Sequence, residues 1–331
     1  MKNYSTLLLV IPERLGETVF CLPAINFLRH KFSRAKIDAF VFTNSAANVL
    51  QHNPHINNTI FFPAADRLND IINNYAVIIN FGDNKMVQAC LGVFSGEKIE
   101  IIDCNEVQCQ YSAERILNTL ANKLHITLTD FTKKYDIYPQ PENLNKIQLL
   151  LTKSGINTEK HLLVGFHLGC HGLTKKRSRL FGKFSHPRAW PLKYFIVLAK
   201  KLKEYNSDIR IILTGSQNES ELGEIFSKKI PNVVNLIDKI EILDCAALMN
   251  NLRVFITNDT GMLHVACATN VKIIALFSGK SYPCATGPYP PAPTRIVLQK
   301  NEIKDIKVEE VFLLAINLFM ASSHDSIENS Q

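Results

Sequence analysis

The chain has 331 residues, 46% of them apolar, and a formal net charge of +7. That length exceeds one ordinary domain, and the apolar fraction suits a soluble protein with a substantial core, so two domains are expected. No apolar run reaches the ~18 residues of a membrane-spanning helix. The first run, Leu7 to Ile11, is stopped by Pro12 and Glu13 before it could form the core of a signal peptide, so a cytoplasmic protein is expected.

Thr6 to Ile11 reads as a fully buried strand, and after Gly16 the stretch TVFCLPAINFLRHKF has the apolar spacing of one helix. A strand in KIDAFVF, a short helix around SAANVLQHN, a strand in NTIFFP, a helix in LNDIINNY and a strand in AVIIN follow. Strand–helix alternation of this kind predicts a parallel sheet covered on both faces. Pro139 and Pro141, a helix and then polar residues read as a junction, after which the alternation restarts. Its segments are LLVGFHLG, LKYFIVLAKKLKEY, DIRIILTGS, ESELGEIFSKKI, NVVNLI, EILDCAALMNN, VFITND and VKIIALF. The expected division is 1–155 and 156–321, with a polar tail over 322–331. The last helical pattern is apolar nearly all round from Val311 to Ala321, which predicts burial against both domains.

Eight cysteines are present and none forms a C-x-x-C pair, so reduced thiols are expected, most of them buried. His167, Cys170 and His171 have the chemistry of metal ligands, but no second pair at finger-like spacing accompanies them. A structural or ligand-contacting loop is the better reading, and no metal is expected. Lys175 to Arg188 holds six basic residues and no acid. Such a run is either a solvated face or a site for anions, phosphates or an anionic membrane surface. Nucleic acid is not an expected partner, for want of a recognisable motif.

Three loops carry polar groups at the ends of apolar strands. Asn258-Asp259-Thr260-Gly261 follows a strand and opens a short helix bearing His264. Free N–H groups at that helix start, capped by Asp259 or Thr260, could bind an anion, and Gly261 would admit a ligand close to the backbone. A capped structural helix with a buried histidine is the alternative. Glu219, after Gly215, either favours a helix dipole or accepts ribose hydroxyls. Glu17, after Gly16, is either a first-turn acid or a base that takes a proton from an attacking hydroxyl.

Together these loops resemble the ADP-heptose:lipopolysaccharide heptosyltransferase family, glycosyltransferase family 9. The residues that carry the resemblance are NDTGMLH (Asn258 to His264) with VACATNVKIIALFSG, TGPYPP from Thr286, PRAWPLKYFIVLAKKL, and LGETVFCLPAINFLRHKFSRAKIDAFV. The resemblance implies an α/β fold of GT-B type, with two Rossmann-like domains facing across a cleft and a C-terminal helix returning to the first domain. It also implies inverting transfer, without a metal or other cofactor, of a sugar (heptose by default) from a nucleotide-diphosphate donor such as ADP-heptose. The acceptor would be a lipid-linked or lipopolysaccharide-core glycan at the inner face of the cytoplasmic membrane, where peripheral contact is an option. Carried onto this chain, Asp259, Thr260, Gly261, Met262, Leu263 and His264 would hold the donor diphosphate and sugar. Arg188 would neutralise the diphosphate where the family often has lysine, and Glu219 would meet the ribose. Glu17 would be the base where the family usually has aspartate. The basic residues Lys175, Lys176, Arg177, Arg179 and Lys183 are not assigned by the resemblance, and from their charge alone they are expected to hold acceptor phosphates. A sugar-nucleotide epimerase or hydrolase on the same fold, or a non-catalytic sugar-nucleotide binder, are the alternatives.

Overall fold

Leu7, Leu8 and Leu9 are fully buried because their strand, Thr6–Val10 (β1), pairs on both edges and is covered on both faces. Its partners are Lys36–Val41 (β2) and Val77–Asn80 (β4), with Asn58–Phe61 (β3) and Glu97–Glu100 (β5) outside them. The five strands are parallel in the order β3-β2-β1-β4-β5, with Leu7 level with Ile37 on one side and Val77 on the other. The computed structural model describes residues 4–62, 65–82, 96–100, 110–128, 133–173 and 186–320. The long helix expected after Gly16 is two helices, Leu15–Phe20 and Leu22–Lys31, parted at Cys21. Pro23 accounts for the break, since it has no N–H to donate and is tolerated only in the first turn of the second helix. Strand β5 and helix Ser112–Lys123 lie in a stretch the sequence pattern left unassigned.

The second unit holds Leu162–His167 (β6), Ile209–Thr214 (β7), Val234–Asn235 (β8), Val254–Asn258 (β9), Lys272–Ser278 (β10) and Arg295–Lys300 (β11). They form a parallel sheet in the order β11-β10-β9-β6-β7-β8. The chain runs outward from β6 to β7 and β8, then crosses back to build β9, β10 and β11 on the other side. Such a reversal leaves a crevice at the carboxyl ends of the two strands where it occurs, here β6 and β9. Trp190, Phe195 and Phe166 fill the core on one face, with Phe195 4.9 Å from Trp190 and 5.4 Å from Phe166 between ring centroids.

The compact units of the chain divide at a different point from the expected boundary. The compact units are Met1–Tyr138 and Pro139–Gln331, so the division falls before helix Pro141–Lys153 rather than at residue 155. The cause is Asp244, a buried acid in the first turn of helix Ile242–Met249. It accepts hydrogen bonds from Asn143 Nδ2 (2.8 Å) and from Lys146, fastening the 141–153 helix to the second unit. The C-terminal helix is Val308–Met320. Its Val311, Ala315 and Leu318 form one stripe buried in the second unit's core, where the helix packs on Leu192–Tyr205, β9 and β10. Leu313 and Met320, off that stripe, are exposed.

Burial alone would raise the Asp244 carboxyl, but its hydrogen bonds from Lys146, Asn143 and the Glu241 N–H hold it below the usual carboxylate range. A depressed acid stabilises the fold above its unfolded value, near 3.9, and that contribution disappears as the pH falls through the folded value. Asp244→Asn is therefore expected to lose about 1–3 kcal/mol at pH 7. Urea denaturation should find the gap to wild type closing below pH 4, and a gap independent of pH would contradict the charge argument.

Candidate functional site

The carboxyl ends of β6 and β9 are joined by one side chain. Asn258, fully buried, donates through Nδ2 to the carbonyls of Leu168 (3.1 Å) and Gly169 (3.0 Å), with His167 O at 3.5 Å. Its Oδ1 accepts from the Trp190 N–H at 2.9 Å. The amide thus satisfies backbone groups that the loop leaving β6 could not satisfy for itself, which a buried loop requires. The Trp190 ring is held in turn by Nε1 donating to Ile306 O (3.0 Å).

Arg188, two residues before Trp190, reaches the same strand ends. Its Nη2 donates to the Asp259 carbonyl at 2.9 Å and lies 2.8 Å from Asp259 Oδ2. The arginine side chain is 38% exposed and the aspartate 9%, so the pair sits at the rim of the crevice with the acid inward. Cys170 lies in the field of both: burial pushes its thiol up to about 12, Arg188 works against that, and Glu219 and Asp259 add to it. Two acids and one arginine therefore converge on the loop after β6.

Helix Gly261–Cys267 begins directly after Thr260, whose backbone is extended and whose side chain makes no capping hydrogen bond. The side-chain cap expected from Asp259 or Thr260 is absent. The Thr260 hydroxyl lies 3.4 Å from that of Thr257, and Asp259 is turned to Arg188. Leu263 is fully buried and its N–H donates to Thr260 O at 3.1 Å, so its side chain belongs to the core. Met262 and His264 are also buried, and burial holds the imidazole at about 3, so it is neutral at physiological pH.

Glu219 lies against the loop after β6, beside Gly169. Its Oε2 accepts from the Ser216 N–H (2.8 Å) and Oγ (2.6 Å), closing a capping box at the turn after β7. A Cβ on Gly169 would stand 2.6 Å from Glu219 Oε1 and 2.4 Å from its Cγ, so a larger residue there would displace the Glu219 side chain. Next to it, His167 Nδ1 meets Thr214 Oγ1 at 3.2 Å, and burial lowers the imidazole against the pull of Glu219.

Glu17 stands in the first unit, in the first turn of Leu15–Phe20, 42% exposed, where Arg14 Nη1 donates to its Oε1 at 2.9 Å. The Thr18 hydroxyl donates to Pro12 O and Arg14 O, which sets the shape of the turn before it. Lys175, Lys176, Arg177, Arg179 and Lys183 lie outside the described residues. Among the described residues, no group of three or more His, Cys, Asp or Glu side chains is arranged to hold a metal ion.

A family model described as glycosyltransferase family 9 (heptosyltransferase) matches residues 183–315. This stretch contains Arg188, Glu219 and Asp259 through His264. The stretch 183–315 is thus similar to glycosyltransferase family 9. Among characterised proteins it is similar to lipooligosaccharide heptosyltransferase 2 of Haemophilus influenzae, 28% identical over 130 residues. That alignment covers 38% of this chain and 37% of the relative, so the matched segment spans well under half of either. Two solved structures share the fold along its length. A family 9 glycosyl transferase from Veillonella parvula aligns with a TM-score of 0.80 at 19% identity, covering 97% of this chain and 99% of that one. The E. coli ADP-heptose lipopolysaccharide heptosyltransferase II aligns at 0.75 and 17%, covering 96% and 99%. The GT-B fold class expected from the sequence is borne out.

The second unit brings Arg188, Glu219, Asp259 and the 260–264 segment to one sheet edge, while Glu17 stands in the other unit. Sequence reasoning overlooked the part played by Asn258, although an asparagine closing an apolar strand was a visible signal. It also overlooked that Ser216-x-x-Glu219 is spaced as a capping box.

Asn258→Asp keeps the shape but removes the donor and turns an oxygen toward two close carbonyls. A loss of roughly 3 kcal/mol in unfolding free energy is expected, and less than 1 kcal/mol would show that the amide is dispensable. His264 gives a pH signature. Its folded value lies below the usual 6.5, so its contribution is complete above pH 6.5 and drains away as the pH falls toward 3, because the unfolded chain binds the proton first. His264→Gln should flatten the dependence of unfolding free energy on pH across that window. An unchanged slope in urea titrations would count against it.

Proposed function

We propose that the chain is a glycosyltransferase that moves a sugar, heptose by family likeness, from an ADP-linked donor to a lipopolysaccharide-core or related glycan. The observation that carries the reading is the Arg188 guanidinium held on Asp259 at the carboxyl edge where the strand order reverses. A fixed cation there suits a diphosphate, and arginine can grip it through two parallel hydrogen bonds. The family 9 match covers this arginine and the loop it meets. The nucleotide is taken from the likeness to a heptosyltransferase named for ADP-heptose.

In this reading the Asp259–Arg188 contact is the resting state, and a donor diphosphate shares or takes over the guanidinium. The acceptor oxygen attacks the anomeric carbon as the bond to the diphosphate breaks, with inversion. The hydroxyl proton passes to the Glu17 carboxylate. The charge gathering on the departing diphosphate is met by Arg188 and by backbone N–H groups of the 260–264 segment, without a metal. Glu219 contributes Oε1 toward the ribose, since Oε2 is engaged by Ser216. Among the described residues no helix is long and apolar enough to cross a membrane. The enzyme would work in the cytoplasm, with contact at the inner membrane face where the acceptor is anchored.

Ligands that bind the native state raise its melting temperature by mass action. ADP-heptose is expected to raise that of the wild type, with the shift largely lost in Arg188→Ala. No shift from any nucleotide sugar in a panel would overturn the donor reading. Glu17→Gln should retain donor binding and lose roughly 10²–10⁴-fold in transfer rate. Full transfer by that variant would remove Glu17 from the mechanism.

A further inference from the structure

Arg188 owes its aim to a turn that is fastened on both sides. His186-Pro187-Arg188-Ala189 closes with the Ala189 N–H donating to His186 O at 3.0 Å. Proline at the second position suits such a turn because its φ is already set. On the far side the turn is anchored by the Trp190 N–H on Asn258. On the near side the His186 ring accepts at Nδ1 from the Arg188 N–H (3.2 Å), the local bond that asparagine or aspartate commonly makes in turns. The same Nδ1 lies 3.2 Å from the buried Cys170 Sγ.

The proton roles follow from these contacts. An Nδ1 that accepts an N–H carries no proton of its own, so the thiol is the donor and Nε2 bears the ring hydrogen. The environment favours both neutral forms. Burial, Arg188 and His171 lower the imidazole, while burial raises the thiol. Cys170 belongs to the loop after β6, whose neighbouring carbonyls are held by Asn258. A chain of contacts thus runs from the β6 loop through Cys170 and His186 to the backbone of Arg188, and on through its guanidinium to Asp259 at the end of β9.

We infer that His186 and Cys170 are positioning residues that set the direction of the Arg188 guanidinium and thereby the affinity of the site for a nucleoside diphosphate. The inference rests on the donor reading of Arg188. Neither residue touches the ligand in it: His186 fixes the turn, and Cys170 fixes the ring. A lost pin lets the turn rotate away from Asp259, so the cation is no longer held where the diphosphate lies.

The test is the dissociation constant for ADP, measured by calorimetry on the full chain. Wild type should bind, and Arg188→Ala should bind at least about tenfold more weakly, the scale expected for one charge-assisted contact. His186→Ala should weaken binding to a similar degree. His186→Asn, which restores an acceptor for the Arg188 N–H, should recover most of it, and Cys170→Ser should lie closer to wild type than Cys170→Ala. Because His186 acts through Arg188, His186→Ala/Arg188→Ala should bind no more weakly than Arg188→Ala alone. A general loss of folding would instead weaken binding additively and would not be rescued by asparagine. Wild-type affinity in His186→Ala, or additive losses in the double variant, would overturn the positioning role while leaving the donor reading intact. Absence of ADP binding by the wild type would sink the donor reading, and this inference with it.

Discussion

One buried amide holds the working edge of the second unit together. Asn258 ends a strand whose other residues are buried in the core, and its four polar contacts bind segments that are far apart in sequence. The constraint behind it is general: a loop folded over the end of a parallel sheet exposes carbonyls that no ladder can satisfy, and burying them unpaired costs more than a net hydrogen bond contributes. Here one side chain serves the β6 loop and the Arg188–Trp190 segment together. Remove that donor and the geometry at Arg188, Cys170 and Asp259 has no common reference.

Charge is arranged around that fixed point with the acids inward. Asp259 and Glu219 are buried and each has a defined partner, Arg188 for one and the Ser216 turn for the other. Buried carboxylates need such partners, since the interior screens poorly and leaves an unpaired charge expensive. The imidazoles nearby, His167, His186 and His264, are all driven toward the neutral form, burial being the largest cause in each. Among the described residues, Arg188 is a cation at this edge that is both ordered by partners and partly open to solvent. A diphosphate arriving there meets a positive group already oriented, so little of the binding energy is spent on ordering it.

Much of this was legible in the chain. Apolar runs such as TLLLVI and VFITN could only be doubly covered strands, and the alternation of strands with helices led to two parallel sheets. The NDTGMLH segment and the basic residue before Ala189-Trp190 pointed to the candidate site. What stayed hidden depends on contacts between distant residues. Nothing local says that the 141–153 helix belongs to the second unit, because the reason is Asp244, a hundred residues away. The C-terminal helix looked apolar all round, and only packing revealed that one stripe is buried. Nor could spacing reveal that Thr260 leaves its helix uncapped by a side chain while Asp259 turns to an arginine.

Trp190 is the one tryptophan in the chain. Its indole is buried against Phe195 and Tyr194, hydrogen-bonded to Ile306, and joined by two peptide links to Arg188. The protein therefore carries a native fluorophore beside its candidate site, and emission excited at the red edge of the indole band comes from that spot alone. Such a signal reports the melting of the second unit only. A first unit that opened separately would pass unseen in it, and tyrosine emission or circular dichroism would be needed to watch both halves.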